Sequence, residues 1–240
     1  MKKKNKYIFI LMLSFLILLL AGCESAKAHY NDGVDNYSLG QYEKAVDAYL
    51  KAIEIDPEFT KAYFKLGLAY DNLEQYEKAV DAYLKAIEID PEGAEIYKTL
   101  GNTYANLERY EKAFNAYLKA IEIDPEYAEA YNNLGNIYYN RKDYDKTINA
   151  YLKAIEIDPE FVEAYFNLGL AYDNLEDYDK AIEAYLKIIE IDPEVAEAYY
   201  MLGQLYFYVL DDLSKAEKML KQLEDLDYKF YLHLYNKIYQ

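Results

Sequence analysis

Few residues in this 240-residue sequence are of a type that performs covalent chemistry. The histidines are His29 and His233, the one cysteine is Cys23, and beyond residue 22 the serines are Ser25, Ser38 and Ser214. A nucleophile needs a base within hydrogen-bond reach, and no H-E-x-x-H, G-x-S-x-G or G-K-S/T phrase sets such groups together. A lone cysteine supports neither an intramolecular disulfide nor a thiolate zinc site. Acids are plentiful, 43 against 26 lysines and arginines. They recur in one phrase, Glu54, Asp56 and Glu58 and their counterparts, which reads as a solvated edge rather than as catalytic pairs. The expectation is a non-enzyme without cofactor or metal, and a net charge of −17 excludes a nucleic-acid partner.

Cys23 has another chemistry open to it. Lys2, Lys3, Lys4 and Lys6 precede an apolar run from Tyr7 to Leu20 broken only by Ser14, the layout of a secretory signal. The run is about 14 residues, short of the roughly 20 that a spanning helix requires. It closes Leu20-Ala21-Gly22-Cys23, which resembles the lipobox of bacterial lipoproteins. That resemblance implies cleavage before Cys23, diacylation of its thiol, and a firm hold on a bilayer, since several acyl chains anchor where one binds only marginally. Residues 1–22 are read as the signal peptide and 23–25 as the lipidated cysteine with a short linker. The location that follows is the cell membrane or outer membrane, outside the cytoplasm. Loss of residues 1–22 removes four lysines and no acid, leaving 22 basic against 43 acidic residues, or −21. The reach from Cys23 to His29 is at most about 20 Å, so the body is expected to sit at the membrane.

The remainder is periodic. Pro57, Pro91, Pro125, Pro159 and Pro193 are all the prolines, each in an Ile-Asp-Pro-Glu phrase and each 34 residues from the next. Gly33, Gly67, Gly101, Gly135, Gly169 and Gly203 keep the same interval. Within a period, Tyr63, Leu66, Gly67 and Tyr70 make one helical stripe and Ala79, Val80, Tyr83, Leu84, Ile87 and Ile89 another. The polar Asp71–Gln75 stretch separates them, and proline then re-aims the chain. Tyr76, Tyr110, Tyr144 and Tyr178, which open the second helices, are assigned to recurring core columns. Thr147 stands where neighbours have Ala79, Ala113 and Ala181, which predicts a looser helix contact.

Tyr97, Leu100-Gly101, Tyr104, Ala113, Tyr117, Ala120 and Pro125 together resemble the tetratricopeptide repeat, with Tyr97 where tryptophan is commonest. The resemblance implies an all-α, right-handed solenoid of about six helix-turn-helix units over 26–226. The units fall near 26–59, 60–93, 94–127, 128–161, 162–195 and 196–226. The last has one extra residue between Gly203 and Ala216 and lacks the proline. Residues 227–240 are read as a capping helix whose face is Tyr228, Tyr231, Tyr235 and Ile238.

In this family the first helices line a concave groove, and their residues are expected to be free of core duty. Tyr30, Tyr37, Phe64, Lys98, Asn102, Asn133, Asn136, Tyr139, Phe166, Asn167, Tyr200 and Phe207 are the candidate partner-binding residues. Amides there could bond a peptide's N–H and C=O groups while rings cover its side chains. One column changes from Lys27 and Lys61 to Glu95, Glu129, Glu163 and Glu197, so a bound segment with an acidic end should direct it toward the first repeats. Lys98, Asn102 and Asn133 match part of the family's clamp for a C-terminal carboxylate, while its other basic columns hold Glu163 and Asn167 here. The expected function is a membrane-anchored scaffold that binds a protein or peptide during envelope assembly or secretion. The alternatives are a homotypically stacked structural oligomer and a non-catalytic subunit of an envelope enzyme.

Overall fold

The structure is a computed structural model and describes residues 25–239. The signal segment and Cys23 lie outside the described residues. The described chain is all-α and divides into two compact units, the first ending at Asp124 and the second beginning at Pro125. The first unit contains α1 (25–38), α2 (Tyr42–Ile55), α3 (Thr60–Asn72), α4 (Tyr76–Ile89), α5 (Ala94–Asn106) and α6 (Tyr110–Ile123). The second contains α7 (Ala128–Asn140), α8 (Tyr144–Ile157), α9 (Val162–Asn174), α10 (Tyr178–Ile191), α11 (Ala196–Gln204), α12 (Leu213–Leu226) and α13 (Tyr228–Tyr239). Each unit is a length of α-solenoid in which helix hairpins pack on the next hairpin along.

Two turns alternate along the chain. Between hairpins, the residue before proline is forced out of the helical region, and Asp56 is extended at φ −129°. Its carboxylate accepts the Glu58 N–H at 3.2 Å, and Asp90, Asp158 and Asp192 do the same for Glu92, Glu160 and Glu194. The aspartates of the repeated acidic phrase are thus turn formers as well as solvated charges. Within hairpins, one residue takes a left-handed conformation: Gly40, Glu74, Glu108, Lys142, Glu176 and Asp211. This lets Gln75 N–H reach Tyr70 C=O at 2.9 Å and Arg109 N–H reach Tyr104 C=O at 2.8 Å, closing the first helix of each pair.

The core is a file of glycine–tyrosine contacts. Gly67, Gly101, Gly135 and Gly169 lie against the rings of Tyr83, Tyr117, Tyr151 and Tyr185 from the second helix of the same hairpin, as Gly33 does against Tyr49. These five tyrosines are at most 3% exposed. The column at the start of the second helices is different: Tyr76, Tyr144 and Tyr178 are half-buried and Tyr110 is 46% exposed, so core duty falls on the later tyrosine. A lysine one turn into the second helix covers the last tyrosine of the first, as Lys78 over Tyr70 and Lys112 over Tyr104, both at 5.4 Å. Thr147 does not loosen its hairpin. It is fully buried, and its hydroxyl donates to the Asp143 carbonyl at 2.8 Å.

The extra residue of the last hairpin is absorbed as a π-helical turn, Leu205–Val209. There Leu220 stands where the other hairpins have the core tyrosine, and Leu234 of α13 fits against Gly203 instead. Leu234 is fully buried, with Phe230, Tyr231 and Ile238 packed beside it. The capping face is therefore Phe230–Leu234–Ile238. Tyr228 and Tyr235, read from the sequence as part of it, point outward at 65% and 38% exposure, because the helix is rotated to seat leucine rather than tyrosine on the glycine.

Candidate functional site

In the first unit α1, α3 and α5 present the candidate face. Tyr30 lies 5.9 Å from the Tyr49 ring and 5.0 Å from Phe59, and Phe64 lies 5.9 Å from Tyr83. Tyr37 meets Tyr42 edge-on, and its hydroxyl accepts from Asn72 Nδ2 at 2.8 Å. Asn102 accepts the Tyr117 hydroxyl proton at 2.8 Å, while Lys98 is half-buried on the same helix. Asp71 accepts from Tyr83 at 2.6 Å and from Thr103 at 2.9 Å. Burial raises the Asp71 carboxyl above its ordinary 3.8, and those two bonds pull it part of the way back.

In the second unit α7, α9 and α11 carry the face. The Asn136 carbonyl oxygen accepts from the buried Tyr151 hydroxyl at 2.6 Å, so what Asn136 has left to offer is its amide N–H group. Asn167 is turned the other way. Its Nδ2 donates to Asn132 Oδ1 at 3.0 Å, leaving its carbonyl oxygen outward. Asn136, Tyr139, Asn140 and Asn167, with Tyr151 and Leu170, line a pocket of about 290 Å³. Tyr139 accepts from Asn174 and keeps its own O–H as a donor. One amide donor, one amide acceptor and an apolar wall in a single recess match the C=O, N–H and side chain of one peptide unit.

Asn132 continues this chain. It is 1% exposed and donates to Glu163 Oε1 at 2.9 Å, so a buried amide ties the recess to a carboxylate on the next first helix. Glu163 lines a second, larger pocket of about 520 Å³ that also takes in Phe166.

The structure therefore brings Asn136, Tyr139 and Asn167 to one recess and places Phe166 beside it. It does not leave these residues free of core duty. Asn102 and Asn136 hold core hydroxyls, and Tyr30, Phe64 and Phe166 pack on core rings, Phe166 at 5.8 Å from Tyr185. Asn133 is half-buried on α7. Tyr200 lies under α13, stacked on Phe230 at 4.9 Å with Lys237 above it at 5.8 Å, and so is covered. Phe207 is in the π turn, edge-on to Tyr208. Lys98 and Asn102 belong to the first unit and Asn133 to the second. Sequence reasoning missed Asn140 and the structural part of Asn132. The available signal was an asparagine at position 132 in a column that holds Tyr30, Phe64, Phe166 and Tyr200, with Lys98 the one other polar member. Among the described residues no group of His, Cys, Asp and Glu is placed to hold a metal, and no helix is long and apolar enough to cross a membrane.

A family described as TPR repeat matches residues 35–74, 101–141 and 135–175. Two described as Tetratricopeptide repeat match 60–92 and 162–195, and 82–115 and 184–225. A search of curated proteins found no match. Among solved structures, MamA is 30% identical over 72% of this chain and 95% of its own, with a TM-score of 0.63. YrrB, a TPR protein with an unusual peptide-binding site, is 27% identical over 80% of this chain and 99% of its own, at 0.60. The pilF protein of Pseudomonas aeruginosa, 21% identical over 90% and 99% at 0.75, is alike in fold.

Proposed function

The chain belongs to the tetratricopeptide repeat family, and from that premise we propose that it is an interaction scaffold gripping an extended segment of another polypeptide on α7 and α9. The observation that carries this reading is the fixed pair of amides, Asn136 presenting N–H and Asn167 presenting C=O within one recess. Because buried Tyr151 and Asn132 set both orientations in advance, a ligand does not meet the entropy cost of ordering them. YrrB, at 27% identity, supports it as a relative with a peptide-binding site. Photoreactive residues at Asn140 and Phe166 should form crosslinks to polypeptide in the native membrane, whereas one at the outward Leu152 on α8 should not. Equal yields at all three positions would refute the reading.

We further infer that the scaffold is held at a bacterial envelope membrane through acylated Cys23. The support is the Lys2–Lys6 segment, the apolar run and Leu20-Ala21-Gly22-Cys23. A palmitate analogue fed to the cells should label the native chain and not Cys23→Ser, and the variant should leave the membrane fraction. Labelling that survives the substitution would remove the anchor from the proposal.

A further inference from the structure

The larger pocket says what kind of segment the second unit takes, an inference that rests on the binding face proposed above. Its apolar wall is Phe161, Val162, Phe166 and Val195, and its volume of about 520 Å³ is ample for one aromatic side chain. Around that wall stand Asp158, Glu160, Glu163 and Glu197, and none of the lining residues is basic. We propose that this pocket receives an aromatic or branched apolar side chain of a partner polypeptide flanked by lysine or arginine.

Charge complementarity selects that occupant. Four carboxylates around an open apolar recess repel an acidic segment and leave a neutral one without compensation, while a cation beside the inserted side chain meets them from either side. Glu163 is held in place by the 2.9 Å bond from buried Asn132, which Asn167 holds in turn. The carboxylate that faces the pocket is thus ordered before any ligand arrives. The site is also peculiar to this part of the chain. Where Val162 and Phe166 stand, the third repeat has Ala94 and Lys98 and the second has Thr60 and Phe64 behind Lys61. The lysines that suggested an acidic end toward the first repeats have their opposite here.

The experiment uses detergent-solubilised full-length protein and three dye-labelled 12-residue peptides read by anisotropy. One carries phenylalanine between lysines, one phenylalanine between glutamates, and one alanine between lysines. The first should bind about tenfold more tightly than either other, and its advantage should shrink with added salt. In the double variant Glu163→Gln and Glu197→Gln the preference should drop to about twofold with thermal unfolding unchanged, because glutamine at 163 still accepts the Asn132 N–H. Equal binding of the lysine and glutamate peptides, or a preference intact in the double variant, overturns the proposal. Self-association that the double variant abolishes, with no peptide bound, assigns the pocket to a second copy and overturns it also. Crosslinking at Asn140 without charge preference defeats this inference alone, whereas loss of crosslinks at both Asn140 and Phe166 defeats the binding face beneath it.

Discussion

Gly135→Ala should lower the stability of the second unit by about 2 kcal/mol, and Gly135→Leu should leave that unit unfolded. A Cβ at 135 would stand 2.5 Å from Tyr151 Cε1 and 2.7 Å from Cδ1, closer than real carbon atoms approach. The ring is 2% exposed, so it has nowhere to swing, and moving it strains the 2.6 Å bond to Asn136. Overpacking of this kind costs about 1–3 kcal/mol, the lost hydrogen bond about 1 more, and the better helix propensity of alanine returns about 1. The check is urea unfolding followed by circular dichroism, repeated in Tyr151→Leu. With the ring and its hydroxyl gone, both costs vanish and Gly135→Ala should cost about 3 kcal/mol less than it does alone. A midpoint that Gly135→Leu does not move would mean that this contact does not hold the hairpin together.

Alkali should unfold the protein cooperatively above pH 10. Burial pushes the hydroxyls of Tyr49, Tyr117, Tyr151 and Tyr185 well above the usual tyrosine value of 10.0, and that of Tyr83 higher still, with the Asp71 carboxylate adding to the effect. The folded state therefore keeps protons that the unfolded chain releases near pH 10. Stability is fully present below that pH and is lost as the pH rises past it, by about 1.4 kcal/mol per pH unit for each tyrosine held neutral. Three of the five lie in the first unit and two in the second, so the first should fail at lower pH. Phenolate absorbance and helical circular dichroism should show a shared step above the smooth titration of the exposed tyrosines. A single smooth titration of all 31 tyrosines with helix retained would contradict it.

Most of the architecture was legible because the close contacts are written as small residues in phase. Gly101 and Ala113 announce where two helices approach, and Pro125 where the chain must turn. The left-handed turn was not legible, since only Gly40 and Asp211 there are suited to positive φ while Glu74, Glu108, Lys142 and Glu176 meet the same demand against preference. The extra residue after Gly203 could be counted but its absorption as a π turn could not, because that depends on Tyr206 and Leu205 staying buried on either side. The candidate site was half legible. Its residue types and helices stood in the sequence, and three of its members meet in one recess. The direction each amide faces did not, because it is set by Tyr151, fifteen positions after Asn136, and by Asn132, thirty-five before Asn167.

The final hairpin differs from the others in kind: its spacing is broken at Leu205–Val209, and a leucine from α13 fits against the glycine that elsewhere meets tyrosine. The joints at Pro57, Pro91, Pro125, Pro159 and Pro193 share one sequence phrase. Ancestral gene duplication or deletion in blocks of 34 codons could lengthen or shorten the array between those joints while leaving its terminator untouched. An insertion beyond Leu205 would have to rebuild the stop.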